Sequence, residues 1–277
     1  MMRPSFSSAP IVLLALCLFT WGTHQCSAEE APVRGWTKAE FTGKPLDGLR
    51  VALDVGHSRL TLGAISARGR GEFFFNRDSV GVFAEVLERA GARVILINGD
   101  GTVTGLAERA ILAGKEKADC FISVHHDSVN DKYLRTWTHE GVSRDYADNF
   151  RGYSVFASSK NAKAGRSRDL ALAVGAALFD SGLKPTLHHN EPIQGENRPL
   201  LDERSGVYEF ADLVVLKTAT MPAILLECGV IIHREDELLA RDPAYQDLVG
   251  HALVKALSTV FPREQKKKGL LRLFGRD

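Results

Sequence analysis

The stretch Cys-Phe-Ile-Ser-Val-His at residues 120–125 decides the fold, because it is a short apolar run that ends in an ionisable side chain. Runs of this length are typical of strands buried on both faces of a parallel sheet. Other short runs of the same kind are found at residues 50–55, 93–98, 153–158, 213–216 and 223–227. The sequence therefore predicts a central sheet of about six strands.

Helical periodicity fills the intervals between these runs. Val82, Phe83, Val86, Leu87 and Ala90 share one face at 3.6-residue spacing, and a glycine follows as a stop signal. Further helices are predicted near residues 106–112, 166–181 and 243–261. Strands that alternate with helices indicate right-handed crossovers, so we expect one three-layer α/β domain with a mostly parallel sheet and helices on both faces. In such sheets, ligands bind beyond the carboxyl ends of the strands.

Composition and the first residues bear on where the protein works. The 277 residues are 44% hydrophobic and 25% charged with a net charge of +1, which is ordinary for a soluble protein and gives no reason to expect nucleic-acid binding. Residues 1–28 read as a secretory signal peptide, with Arg3, an apolar core at 11–21 and the small residue Ala28, although a buried helix is the alternative. The apolar core is shorter than the roughly twenty residues of a membrane span. We expect export to a bacterial periplasm or to the exterior.

The remaining boundaries follow from composition. Residues 29–48 form a polar lead-in segment that either packs on the surface or stays mobile, and residues 49–262 form the catalytic domain. Residues 263–277 form a basic tail, read either as solvated and frayed or as a contact to anionic envelope surface. Cys120 and Cys228 fall at opposite edges of the predicted sheet, so no disulfide is expected between them.

Four ionisable residues lie where an apolar run meets a loop or a helix start: His57, Glu72, His125 and Glu227. Hydrolytic zinc sites take three protein ligands, typically imidazoles and a carboxylate, and leave one position open. Each residue also has a plain structural explanation, a hydrogen-bonded histidine at a strand end or a carboxylate favoured by a helix dipole. Glu227 is harder to explain in that way, because it ends an apolar run where an unpaired charge is costly.

Five motifs in this order resemble the zinc-dependent N-acetylmuramoyl-L-alanine amidases, hydrolases of the bacterial cell wall. The motifs are Asp-Val-Gly-His at 54–57, Gly-Glu at 71–72 with Asn76, Phe-Ile-Ser-Val-His at 121–125, Gly-Tyr-Ser-Val-Phe at 152–156, and Pro-Ala-Ile-Leu-Leu-Glu-Cys-Gly at 222–229. The resemblance covers residues 49–261. It implies that one Zn²⁺ ion is bound by His57, Glu72 and His125.

The same resemblance implies that Glu227 is the catalytic carboxylate and that the bond cut joins N-acetylmuramic acid to L-alanine in peptidoglycan. Zinc would polarise the carbonyl and activate water, and the carboxylate would move the proton. His126 is an alternative to His125, because adjacent side chains of a strand face opposite sides. Asp54 and Asn76 either orient ligands or serve as a loop cap and an exposed helix residue.

Two loops remain. Residues 187–200 are expected to line the substrate groove, with His188 and His189 as an alternative source of a metal ligand. Residues 127–152 are long for a connection and predict a flap or short helical insertion, whose Glu140, Asp145 or Asp148 could reach the open metal position.

Two other functions stay open at this stage, a zinc carboxypeptidase-like peptidase and a wall-binding regulator without turnover. The expected partners are peptidoglycan and an activator protein, and the chain is expected to be monomeric without a membrane span.

Overall fold

The computed structural model describes residues 35–262. The predicted signal peptide at 1–28, the first part of the lead-in segment and the basic tail at 263–277 lie outside these residues. Among the described helices, none combines the length and the apolar character needed to span a bilayer.

The described residues form a seven-stranded sheet and a separate two-stranded hairpin. In chain order, the strands are β1 Arg50–Val55, β2 Arg93–Ile97, β3 Cys120–Asp127, β4 Arg135–His139, β5 Val142–Tyr146, β6 Ser154–Ala157, β7 Leu200–Asp202, β8 Val207–Glu209 and β9 Ala223–Val230. The large sheet has the order β2-β1-β3-β9-β6-β8-β7, while β4 and β5 make the hairpin. Strands β2, β1, β3 and β9 run parallel, so their carboxyl ends share one edge.

Helices cover both faces of the large sheet. They are α1 Glu72–Arg89, α2 Leu106–Lys115, α3 Ala164–Asp180, α4 Val214–Thr218, α5 Asp236–Ala240 and α6 Pro243–Val260. One core lies between the sheet and helices α1, α3 and α6, and the second lies under α2 and α4. Strand β3 contributes side chains to both cores, because Ile122 and Val124 face the first while Phe121 faces the second. The predicted three-layer α/β fold is confirmed.

The predicted strand at 213–216 is wrong. Leu213 is the cap residue before α4, a single short helix, and Val215 and Leu216 are buried under the second face of the sheet. A short apolar run cannot distinguish a strand from one buried helical turn, because both bury successive large side chains. The prediction also missed β7 and β8, which are three residues each, and it gave no sign that β6 runs antiparallel to β9.

The described part of the lead-in segment packs onto the helices. Leu46 is buried and its backbone N–H donates to the carbonyl of Ala90, 2.9 Å away. Trp36 packs against Tyr245 with ring centroids 5.5 Å apart. Of the two expected arrangements for residues 35–48, the packed one is therefore observed.

The insertion at 127–152 is a β-hairpin and a short 3-10 turn. Its two-residue connection is Glu140 and Gly141, both with positive φ (51° and 77°), which matches the twist of the paired strands. The Trp137 indole N–H donates to the carbonyl of Ala67, 2.9 Å away, and ties the hairpin to the loop that precedes α1. The expected flap is present, as a hairpin.

Both cysteines in the described range are free and buried. Cys120 begins β3 and Cys228 lies near the far end of the adjacent parallel strand β9. Burial raises the pKa of each thiol well above its usual value.

Candidate metal centre and active site

Three of the predicted site residues converge at the carboxyl edge of the sheet. His57 follows the end of β1, His125 lies in β3 and Glu72 is the first residue of α1. The two carboxylate oxygens of Glu72 lie 2.9 Å from His57 Nε2 and 3.0 Å from His125 Nδ1. One ligand atom from each residue lies within 4.8 Å of the other two.

His57 projects from the rim because its own backbone is left-handed, with φ 64°. Its carbonyl accepts hydrogen bonds from Asn98 Nδ2, 2.7 Å away, and from the guanidinium of Arg109. The left-handed residue of this turn is therefore His57 and not the glycine before it. Gly56 is required because a Cβ there would lie 2.5 Å from His125 Nε2.

Glu72 is held by backbone and side-chain donors besides the two histidines. Asn76 Nδ2 and the backbone N–H of His126 donate to Oε1 at 3.1 and 3.2 Å, and the N–H of Ala64 donates to Oε2 at 3.1 Å. Burial alone would raise the pKa of this carboxyl, but the hydrogen bonds from His125 and His57 outweigh it and the pKa is lowered. The carboxylate is therefore charged and fixed in position.

His126 points to the other face of β3, away from Glu72. Its ring is buried against Phe75 of α1, and Nδ1 lies 2.8 Å from Asn76 Oδ1. Burial lowers the pKa of His126 to about 4, so the ring is neutral. Asn76 is fully buried between His126 and Glu72, so it is not an exposed helix residue.

Asp54 is fully buried but contacts none of the three converging residues in a hydrogen bond. Its Oδ2 accepts from Ser123 Oγ at 2.7 Å, and its Oδ1 lies 3.6 Å from Arg109 Nη1. Burial raises the pKa of Asp54 despite these neighbours. Asp54 is therefore connected to His57 only indirectly, through Arg109, which faces Asp54 and donates a hydrogen bond to the His57 carbonyl.

Glu227 lies next to the converging residues on β9. It is the register partner of His125 on one side and of Ser154 on the other. Oε2 of Glu227 is buried and has no hydrogen-bond partner in the described structure. Burial raises the pKa of this carboxyl well above its usual value, and the charges of Asp127 and Glu72 raise it further. A buried carboxyl with a raised pKa can accept a proton and later release it, as a general base and acid must.

The donor set fits a divalent metal ion. Two imidazole nitrogens and one carboxylate are the ligands of hydrolytic zinc sites, and Asn76 and Ala64 supply the outer hydrogen bonds that orient such ligands. A glycine is needed at position 63 beside these ligands, because a Cβ there would collide with the Glu72 carboxylate and lie 2.6 Å from the His57 ring.

The acidic residues of the hairpin do not join this group. Asp148 pairs with Arg234, Glu140 occupies the hairpin turn, and Asp145 is exposed. Within residues 35–262, neither group of candidate metal-binding side chains includes any of the three.

The residues at 188 and 189 also lie apart from the first group. They form a 3-10 turn beside Asp127, with His189 Nε2 2.7 Å from Asp127 Oδ2. The structure thus contains a second group of potential ligands, Asp127, His188 and His189, that the sequence analysis did not assemble.

Sequence reasoning missed Arg109 as a site residue and counted it only as part of a helix. Its side chain is 2% exposed and donates to the carbonyls of Val55 (2.9 Å), His57 and Val103 (2.8 Å). One signal was available, because an arginine between the apolar positions of α2 requires buried acceptors.

Comparisons with known proteins show which family the chain resembles. A family model described as N-acetylmuramoyl-L-alanine amidase matches residues 51–259. The chain is 26% identical over 220 residues to N-acetylmuramoyl-L-alanine amidase AmiA of Salmonella typhimurium, covering 76% of this chain and 75% of AmiA. It is 25% identical over 244 residues to the probable cell wall amidase LytH of Staphylococcus aureus, covering 85% and 68%.

Solved structures share the fold. The amidase Ami1 of Mycobacterium smegmatis superposes with a TM-score of 0.60 at 21% identity, covering 78% of this chain and 97% of Ami1. The CwlD amidase of Clostridioides difficile, solved in complex with the GerS lipoprotein, gives a TM-score of 0.56 at 17% identity, covering 76% and 98%.

Proposed function

This chain belongs to the N-acetylmuramoyl-L-alanine amidase family. We propose that it cleaves the amide bond between N-acetylmuramic acid and L-alanine in peptidoglycan, with one zinc ion bound by His57, Glu72 and His125. The chain is an N-acetylmuramoyl-L-alanine amidase, which replaces the peptidase and regulator alternatives. The observation that carries the zinc proposal is the convergence of two imidazole nitrogens and a carboxylate within 4.8 Å, with Glu227 as the register partner of His125.

Each residue has a separate part in the proposed reaction. A bound zinc ion supplies Lewis acidity to the scissile carbonyl and acidifies water in the site. Glu227 takes the proton of the attacking water and later delivers it to the amino group of the departing L-alanine. Its raised pKa lets the carboxyl hold that proton between the two steps. The hydrogen bonds to Glu72 keep the ligands in place throughout.

A Glu227→Gln variant tests the role of the carboxyl. We expect it to keep its metal and its fold but to lose activity on purified cell wall by roughly 10²–10⁴-fold, because glutamine cannot accept the proton. Mass spectrometry of muropeptides would show free muramic-acid carboxyls and L-alanine amino termini for the unmodified enzyme. The matched control is Glu88→Gln, an exposed acid of α1.

Two results would contradict the proposal. One is wall clearing by Glu227→Gln at the unmodified rate. The other is undiminished clearing by protein stripped of metal with a chelator.

We also propose that the enzyme is exported and serves wall remodelling or daughter-cell separation. Support comes from the apolar leader-like segment at 11–21 and from the relative named a probable cell wall amidase. We propose an activator protein as partner, and the CwlD amidase, whose structure is a complex with a lipoprotein, supports a protein partner of this kind. Mass spectrometry of protein from the bacterial envelope should show a mature amino terminus after Ala28. An uncleaved terminus would contradict export through this signal.

A further inference from the structure

A second group of ligating side chains lies beyond the first along the same strand. Asp127 ends β3, two residues after His125, and its Oδ2 lies 2.7 Å from His189 Nε2 and 3.4 Å from His188 Nε2. The side chains of Asp127, His188 and His189 are only 11%, 1% and 12% exposed. Two imidazoles therefore converge on one carboxylate oxygen in a nearly closed space.

The outer nitrogen of each imidazole has its own partner. His189 Nδ1 lies 2.9 Å from Glu196 Oε2, and because a carboxylate only accepts, the ring donates there. His188 Nδ1 lies 2.8 Å from Thr186 Oγ1. Metal-binding histidines are oriented in this way, with one nitrogen bonded to an outer acceptor and the other turned to the ion.

Salt bridges among these side chains, with no metal ion bound, explain the position of His189 but not that of His188. His189 lies between two carboxylates, with Nε2 2.7 Å from Asp127 Oδ2 and Nδ1 2.9 Å from Glu196 Oε2, so His189 alone can pair with both. His188 Nε2 has no place in that network. It is buried, has no hydrogen-bond partner in the described structure and points to the oxygen that His189 already occupies. A buried polar atom without a partner is costly and needs a cause.

We infer that Asp127 Oδ2, His188 Nε2 and His189 Nε2 bind a second divalent transition-metal ion of the zinc type, distinct from the ion at His57, Glu72 and His125. A tetrahedral ion with bonds of 2.0–2.1 Å holds its ligand atoms about 3.3 Å apart. The 3.4 Å from Asp127 Oδ2 to His188 Nε2 matches this separation, and the 2.7 Å to His189 Nε2 would lengthen when an ion replaces the direct hydrogen bond. Imidazole nitrogen with carboxylate oxygen selects zinc-like ions over calcium or magnesium.

This ion would fix a loop over the sheet edge. It would join β3 to the segment 186–196, which is otherwise attached there by hydrogen bonds such as that of Asn130 Nδ2 to the Gln194 carbonyl, 3.2 Å. Asp127 also lies close enough to Glu227 to raise the pKa of that carboxyl. The second ion would therefore border the proposed reaction groove and set the position of its wall.

Metal stoichiometry tests the inference without relying on activity. The full chain is stripped with a chelator, reloaded with Zn²⁺ and passed through a desalting column, and zinc per protein is measured by mass spectrometry. We expect two equivalents for the unmodified chain, one for His57→Ala, one for His188→Gln and none for the double variant. His139→Ala, which removes a histidine stacked on Trp137 in the hairpin, is the matched control and should keep two.

A spectroscopic measurement locates the ion if a variant folds poorly. In the His57→Ala protein, Zn²⁺ titration should shift the imidazole NMR signals of His188 and His189 but not that of His139. Glu196→Gln should weaken the second site by on the order of 10-fold, because the outer acceptor of His189 is replaced by an amide.

The inference is overturned if His57→Ala holds no zinc, or if His188→Gln leaves the stoichiometry of the unmodified chain unchanged. If His57→Ala loses one zinc equivalent and its wall activity but keeps the other equivalent, both metal sites are supported. Failure of the first site alone would therefore be visible separately.

Discussion

Arg109 is the residue on which the position of His57 depends. Its guanidinium binds the carbonyls on either side of the turn out of β1, at Val55 and His57, and it faces the buried carboxylate of Asp54 at 3.6 Å. The left-handed backbone of His57 leaves its carbonyl turned inward, where only buried donors can reach it. The imidazole of His57 is thus held in position by a buried cation of α2.

Replacing Arg109 by methionine should destabilise the protein by about 3–5 kcal/mol, because it removes the cation that faces the buried carboxyl of Asp54 and the donor to three backbone carbonyls. Zinc affinity at the proposed first site should fall as well, since the His57 carbonyl loses the Arg109 donor and keeps that of Asn98. Urea unfolding measures the first effect and zinc titration the second. Arg89→Met, which removes an exposed ion pair, should cost less than about 1 kcal/mol. Equal zinc affinity in Arg109→Met and unmodified protein would contradict the positioning role.

At the scale of elements, the loop between β1 and α1 is fixed from outside by α5. Glu237 of α5 is fully buried and accepts from Ser66 Oγ and Arg68 Nη1, both at 2.8 Å. The hairpin adds Trp137, which donates to the carbonyl of Ala67. The helix that begins with Glu72 therefore starts from a loop anchored on two sides.

A Glu237→Ala variant should unfold with a free energy lower by about 1–3 kcal/mol. The estimate is reduced from that of a fully buried pair, because Arg68 is partly exposed. Limited proteolysis should then cut within residues 58–71 sooner than in the unmodified protein. Glu235→Ala, at an exposed neighbour, is the control. Equal cutting rates in the two variants would show that α5 does not hold the loop.

For the whole molecule, a metal ion bound at the proposed first site would join three separate parts of the chain: the end of β1, strand β3 and the start of α1. These ligands come together only in the folded state, so binding free energy adds to the free energy of unfolding. A metal concentration one hundred times the dissociation constant contributes about 2.7 kcal/mol.

In the His188→Gln protein, which keeps the first ion alone, removing metal should therefore lower Tm by roughly 5–10 °C, at 2–4 °C per kcal/mol for a domain of this size. Differential scanning calorimetry of chelated and zinc-reloaded protein measures the shift. The His57→Ala, His188→Gln double variant should show no response to either treatment. An unmodified protein whose Tm ignores the chelator would contradict a metal centre that spans these elements.

Sequence alone determined the layered α/β fold, because buried parallel strands must be apolar on both faces and amphipathic helices must cover them. It also placed His57, His125 and Glu227 toward the carboxyl edge of the sheet, since the position of a residue in a strand fixes which edge it reaches. The predicted strand ends at His125 and Glu227 are too early, because β3 and β9 both continue beyond these residues. The motif order indicated Glu72 as well, although this residue lies on a helix.

Only the tertiary structure decided the rest. Arg109, Glu237 and the pairing of Asp127 with His188 and His189 depend on contacts between elements distant in sequence, which no local period encodes. The helix at Val214–Thr218 and the antiparallel β6 were decided in the same way, because short segments take the conformation that their packing partners allow. The hydrophobic pattern of the sequence determines the layers of the fold and the sheet edge at which the site lies. Packing between elements determines which polar side chains come into contact at that edge.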